Sequence, residues 1–166
     1  MSKIIIHGGF FSESSTNIET KIAKQQALLR IVKDSYAYLQ NHSALETVVY
    51  AVSQLEDDEL FNAGIGSQIQ SDGKIRMSAS LMDGESQKMS GVINIEEVKN
   101  PIQVAQVLMQ VDDRILGGSG ATNFARKHGF ESFSTEIPQR RAEYEAKLAS
   151  LGTGTVGCVA LDKNGK

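Results

Sequence analysis

The sequence is poor in several things. Of its 166 residues one is cysteine, none is tryptophan and 6% are aromatic. A lone cysteine, Cys158, excludes an internal disulfide framework and fits a reducing compartment. There is no basic cluster and no aromatic platform, and the formal charge is only -3, so nothing marks nucleic acid as a partner. Small neutral or acidic substrates remain open. No apolar run reaches membrane-spanning length, and Ile4 to Ile6, straight after Lys3, is far too brief for the core of a signal peptide. The expectation is a cytoplasmic protein with no membrane partner. Internal repeats and low-complexity segments are also absent.

What is present suits one globular domain or part of a larger one, with 40% hydrophobic and 22% charged residues. Lys3 to Ile6 reads as a buried first strand stopped by the turn His7-Gly8-Gly9. Thr16 and Glu19 form a capping box for a helix whose Ile18, Ile22, Leu29, Val32, Tyr36 and Leu39 make one apolar face. Ser43 and Glu46 repeat the device, with Leu45, Val48, Val49, Val52 and Leu55 as the second stripe, and the two amphipathic helices are expected side by side. The glycine-containing stretch Leu60 to Ser67 follows as a loop. Gln68 to Gln70 and Lys74 to Leu81 flank the turn signal Ser71-Asp72-Gly73 and predict a hairpin. Ser90 to Ile95 predicts a strand, and Asn100-Pro101 opens a helix, since asparagine caps well and proline suits the first helical position. Ile115-Leu116 reads as a short strand, followed by a helix around Phe124 that Gly129 ends and a polar helix from Pro138 to Leu148.

Val156 to Leu161 is nearly all apolar and reads as a strand buried on both faces, with Asn164-Gly165 as a hairpin turn behind it. Only Lys166 follows. A strand and turn without a partner strand lead us to expect an incomplete domain; a terminal strand paired elsewhere is the alternative.

The residue with the most chemical promise stands before that strand. A threonine hydroxyl is a poor nucleophile until a base removes its proton. Cutting the chain before a threonine supplies that base within the same residue, because a free α-amino group titrates at a pKa of about 7.7 to 8.0. Gly154 leaves room for the Thr155 hydroxyl to attack the preceding carbonyl, and Gly157 keeps the near side of the strand open. By spacing alone, a threonine that begins a strand after glycines is more often structural.

Several blocks in register change that balance. His7-Gly8-Gly9, Leu55 to Asp58 with Leu60 to Ser67, Ser80-Leu81-Met82-Asp83-Gly84, Val98 to Ile102, and Gly154-Thr155-Val156-Gly157 together resemble the plant-type asparaginase/isoaspartyl peptidase family. The resemblance implies an α+β fold, the αββα sandwich of the N-terminal-nucleophile hydrolases. It implies residues 1–154 as an α-subunit-like region ending in a linker, and 155–166 as the start of a β-subunit-like region. In that family the precursor cuts itself before the threonine, and the two subunits form an α/β heterodimer that pairs into a dimer of heterodimers. Carried over by position, Thr155 is the nucleophile and, through its freed amine, the base, while Asn62 hydrogen-bonds near it. Gly154, Thr155, Gly8 and Gly9 belong to the processing site. The loop from Leu55 to Ile65 is similar to one whose backbone carbonyls hold a structural sodium ion, at Leu55, Glu56, Asp58, Phe61, Ala63 and Ile65. Catalysis itself needs no cofactor. The expected substrates are L-asparagine or β-aspartyl (isoaspartyl) dipeptides.

The sequence also departs from the family pattern. Phe10-Phe11 stands where the family has small residues, and Ser78 where an acidic residue often precedes Ala-Ser. The family's substrate-carboxylate clamp, second active-site threonine and oxyanion-hole Thr-Gly would all lie beyond Lys166.

Other residues have plainer readings. His7, His42 and His128 lack ligand spacing and read as structural. Cys158 reads as a small core residue, and the acidic run Glu56 to Glu59 as a solvated helix end rather than a divalent site. Ser67 and Ser80 lack a paired base. Glu136 to Lys147 reads as a solvated helix leading into a flexible linker. Two alternatives stand beside the amidohydrolase. One is a catalytically incomplete precursor fragment; the other is a relative of the glycosylasparaginases or of the threonine endopeptidases.

Overall fold

The computed structural model describes residues 2–9 and 18–150. Two helices lead, α1 (Ile18–Leu39) and α2 (Ala44–Glu56). Strands β1 (Met77–Asp83) and β2 (Lys88–Ile95) follow, then α3 (Pro101–Leu108), β3 (Ile115–Gly117), α4 (Gly118–Lys127) and α5 (Pro138–Ser150).

The predicted box at Ser43 starts α2: the Ser43 hydroxyl accepts from the Glu46 amide and the Glu46 carboxylate accepts from the Ser43 amide. Helices α1 and α2 pack together as expected, with the Tyr38 ring stacked between His42 and Tyr50 at centroid distances of 3.6 and 4.3 Å. The face that α1 turns inward is not the predicted one. Ala27, Ile31 and Ser35 are buried, whereas Ile18, Ile22, Leu29 and Tyr36 are exposed and Val32 and Leu39 half-buried. The inward seam is Ile31 flanked by the small residues Ala27 and Ser35, and Ala27 and Ile31 pack against Leu55 and Phe61. Thr16, its predicted N-cap, lies outside the described residues.

Strands β1 and β2 form an antiparallel hairpin, and β3 adds to β2 in parallel. Parallel neighbours need a crossover, which α3 supplies. Three hydrophobic clusters hold the layers. Val92 and Ile95 of the sheet meet Val104 and Leu108 of α3 and Ala121 and Ala125 of α4. Val49 of α2 and Leu81 of β1 meet Ile102, Ala105 and Met109. Ala27, Ile31 and Leu55 close over Phe61, with Ile6 packed beside them. The buried Ser90 hydroxyl donates to the Ala105 carbonyl at 2.6 Å, tying β2 to α3.

Two more expectations need correction. Lys3 to Ile6 is not a strand. Ile5 is 93% exposed and only Ile6 reaches the core, because no strand among the described residues lies beside this segment to pair with its backbone. The turn at Ser71 to Gly73 forms, with the Gln70 amide donating to the Lys74 carbonyl at 2.8 Å and Gly73 at φ +83°. Its flanks form no ladder: the Gln68 amide donates to the Asn62 side chain, and the Gln70 side chain accepts from Arg76. The hairpin is instead β1 with β2, turning through residues 84–87. The strand at Ser90 to Ile95, the Asn100-Pro101 start, the Ile115 strand, the helix ended by Gly129 and the polar helix from Pro138 are all present.

Among the described residues a single sheet is found, giving an α+β arrangement with α3 and α4 on one face. Met82, Met89, Ile93 and Ile115 are exposed. Among the same residues no helix is long and apolar enough to cross a membrane. The predicted strand Val156 to Leu161, the turn Asn164-Gly165, Phe10-Phe11 and Cys158 lie outside the described residues.

Candidate active site

The loop after α2 is built around Phe61, which is 1% exposed and anchored in the cluster of Ala27, Ile31 and Leu55. That anchor fixes its neighbour, Asn62. The Asn62 side chain is exposed, and its Oδ1 accepts the Gln68 amide at 2.9 Å. Glycine is required further on. At Gly64 (φ +50°) a Cβ would lie 2.2 Å from the Glu56 carbonyl oxygen, and at Gly66 (φ +93°) 2.6 Å from that of Glu59 and 2.9 Å from that of Phe61. No side chain fits either position, and both φ values favour glycine.

The carbonyl oxygens of Glu59 and Phe61 pack against Gly66, while those of Glu56 and Asp58 accept the Ile65 and Phe61 amides at 2.7 and 3.1 Å. A carbonyl has two lone pairs, so the Glu56 and Asp58 oxygens each retain one, and carbonyl oxygens suit a hard cation. Of the other expected carbonyl positions, Leu55 and Phe61 have their side chains in the core, and Ala63 and Ile65 are half-buried. Among the described residues no group of three or more His, Cys, Asp or Glu side chains could hold a metal ion.

Gly8 closes the loop from the other side. A Cβ there would sit 2.9 Å from a Leu28 methyl carbon and 3.0 Å from the Phe61 ring, so the Gly8 backbone lies directly against the residue before Asn62. Gly9, at φ +86°, donates its amide to His7 Nδ1, and a Cβ there would meet nothing among the described residues. His42 and His128 likewise contact a carbonyl four residues earlier, consistent with structural histidines. Gly154 and Thr155 lie outside the described residues.

Asn62 stands on the rim of a cavity of about 290 Å³, with Glu56, Ser67, Arg76 and Ser78 among the lining residues. Glu56 corrects the reading of its acidic run as solvated: it is 3% exposed. One carboxyl oxygen accepts the Ile102 amide at 3.1 Å and caps the first turn of α3; the other is buried and, among the described residues, lacks a partner within hydrogen-bonding geometry. Burial pushes the Glu56 carboxyl up to about 8, against the opposing hydrogen bond from Ile102, which keeps it largely protonated at neutral pH. Asn100, whose side chain was expected to cap α3, instead reaches the end of α2, donating to Asp57 at 2.9 Å. Arg76 forks to Glu96, Gln70 and Asp72 at 3.0, 2.7 and 2.8 Å. Neither Glu56 nor Arg76 was singled out for this cavity from the sequence. The four-residue step from Asp72 to Arg76 was the one available hint.

A family model described as asparaginase matches residues 1–166, the whole chain. The isoaspartyl peptidase/L-asparaginase of Synechocystis is 41% identical, over 99% of this chain and 55% of its own length. The plant-type L-asparaginase of Pyrococcus abyssi is 36% identical, over 94% and 51% respectively. The isoaspartyl peptidase of Escherichia coli is 33% identical, over 98% and 57%. The chain thus spans about half the length of the curated relatives it matches. With its glycine loop, its Gly8 turn and every residue inside the match, the chain belongs to the asparaginase family.

Proposed function

We propose that this chain carries the nucleophile and the Asn62 loop of a threonine amidohydrolase acting on L-asparagine and β-aspartyl dipeptides, within an αββα sandwich. The single observation that supports this best is the glycine loop. Phe61 is locked in the core, Asn62 is held by Gln68 at the cavity rim, and Gly8 is pressed against Phe61. The names of the relatives, isoaspartyl peptidase and L-asparaginase, supply the substrate class. Both substrates present a β-carbonyl beside a free α-carboxylate, so one site can take both.

In the processing step the Thr155 hydroxyl attacks the Gly154 carbonyl carbon. The Gly154–Thr155 C–N bond breaks, the hydroxyl proton passes to the freed nitrogen, and water then cleaves the resulting ester. The products are a Gly154 carboxylate and a Thr155 with a free amine. In turnover that amine takes the hydroxyl proton as the oxygen attacks the substrate's β-carbonyl, and the leaving amine or ammonia carries the proton away. Water hydrolyses the acyl-enzyme. Asn62 orients the threonine. A sodium ion held by the carbonyls of Leu55, Glu56, Asp58, Phe61, Ala63 and Ile65 would stiffen the loop that bears Asn62. The cut subunits would pair as a dimer of heterodimers.

The test is the intact mass of the purified protein after several days at neutral pH, followed by ammonia release from L-asparagine. Two fragments meeting between Gly154 and Thr155, and their loss in Thr155→Ala, are the expected result. Processing and activity unchanged by Thr155→Ala would remove the reading. A second reading, a folded piece that hydrolyses nothing alone, is favoured by the chain's spanning only half of its relatives' length. Cleavage without ammonia release distinguishes it.

A further inference from the structure

Helix α5 is polar and mostly exposed, yet it is pinned to the glycine loop. The Arg140 side chain is only 13% exposed. Its Nε donates to the Gly66 carbonyl at 2.7 Å and its Nη1 to Glu143 at 2.7 Å. The Gly66 amide in turn donates to the carbonyl of the buried Thr135 at 3.3 Å, so both polar backbone groups of Gly66 are held by the segment 135–140. One turn along α5, the Tyr144 hydroxyl donates to the Ser71 carbonyl at 3.5 Å and stands over Gly73. Lys24 of α1 also faces the Arg140–Glu143 pair. Gly66 is two residues before Gln68, whose amide holds Asn62. A short covalent and hydrogen-bonded path therefore runs from Arg140 through Gly66 and Gln68 to Asn62.

We propose that Arg140 is a positioning residue for self-processing: by clamping Gly66 it holds the Asn62 loop in the arrangement that cleavage of the Gly154–Thr155 bond requires. This rests on the reading of Thr155 as the processing nucleophile.

The experiment compares the cleavage rate at Gly154–Thr155, by intact mass, with the thermal midpoint. It uses the wild-type chain, Arg140→Met, Arg140→Lys and a core control, Val104→Ala. Arg140→Met keeps the aliphatic stem and loses a charged hydrogen bond, so a slowing of about tenfold or more is expected. Arg140→Lys, whose ammonium still donates to the Gly66 carbonyl, restores most of the rate. Val104→Ala, measured well below its midpoint, cleaves like wild type. Amide exchange at Gly66 and Gln68 rises in Arg140→Met and not in Val104→Ala. Wild-type cleavage with an undiminished rate in Arg140→Met overturns the clamp alone. So does equal slowing in Arg140→Met and Val104→Ala at matched midpoints. A wild-type chain that cleaves neither alone nor when extended to its relatives' full length removes the Thr155 reading, and the clamp with it.

Discussion

At the scale of single residues, Glu56 and Gly64 carry the sharpest expectations. The Glu56 carboxyl titrates near 8 in the folded protein against 4.5 as its ordinary value. The folded state therefore holds more protons at this group than the unfolded chain between those limits, so the Glu56 contribution to stability is fully present below about 4.5 and is lost as pH rises through 8. Urea midpoints measured from pH 4.5 to 8.5 should drop across this window, and the drop should flatten in Glu56→Gln, which keeps an acceptor for the Ile102 amide. Gly64 and Gly118 share nearly the same φ, +50° and +51°, yet a Cβ at Gly64 strikes the Glu56 carbonyl while one at Gly118 meets nothing among the described residues. Gly118→Ala should cost about 1–2 kcal/mol, the left-handed penalty alone. Gly64→Ala should cost more than that by denaturant titration, and should disturb Asn62 with it. Gly64 was legible as a loop glycine in the sequence. Glu56 was not legible as a buried cap, because its partner, Ile102, is 46 residues away and no local pattern records it.

At the scale of elements, periodicity located helices better than it located their buried sides. The α2 stripe was legible in the main because its capping box fixes the start and Val49 and Leu55 fall into the core, with Leu45 and Val52 half-buried, although Val48 is exposed. In α1 the larger apolar residues mark a face that the described structure leaves outside, and the seam runs along Ala27, Ile31 and Ser35. A 3.6-residue period shows that a helix has an apolar stripe; it does not show which partner lies close enough to use it. Ile31→Ala should therefore cost about 2–5 kcal/mol in a chemical melt, whereas Leu29→Ala, two residues earlier, should cost less than about 1 kcal/mol. Equal losses would restore the face first expected. The turn at Asp72-Gly73 was legible from its residues, but its strands were not, because Asn62 and Arg76 engage the groups that a ladder would need.

At the scale of the whole molecule, the sheet found among the described residues, with α3 and α4 on one face, leaves Met82, Met89, Ile93 and Ile115 exposed. Contiguous apolar surface of this kind is uncommon on an isolated soluble domain. The chain is expected to bind an apolar fluorescent dye under native conditions, and the double variant Ile93→Ser, Ile115→Ser to lose most of that signal with its melting midpoint little changed. A signal that persists would place the dye elsewhere. The family was legible from ordered blocks spread along the chain. The link between α5 and the glycine loop was not, since Arg140 and Gly66 lie 74 residues apart.

That separation has a meaning in time. A ribosome adding about 5–20 residues per second takes roughly 4 to 15 s to pass from Gly66 to Arg140. The loop that carries Asn62 is thus made well before its second anchor, while the bond before Thr155 is made after it. On the proposed reading, vectorial synthesis places the bond to be cut behind the contact that steadies the loop, so a chain interrupted before α5 has neither the clamp nor that bond.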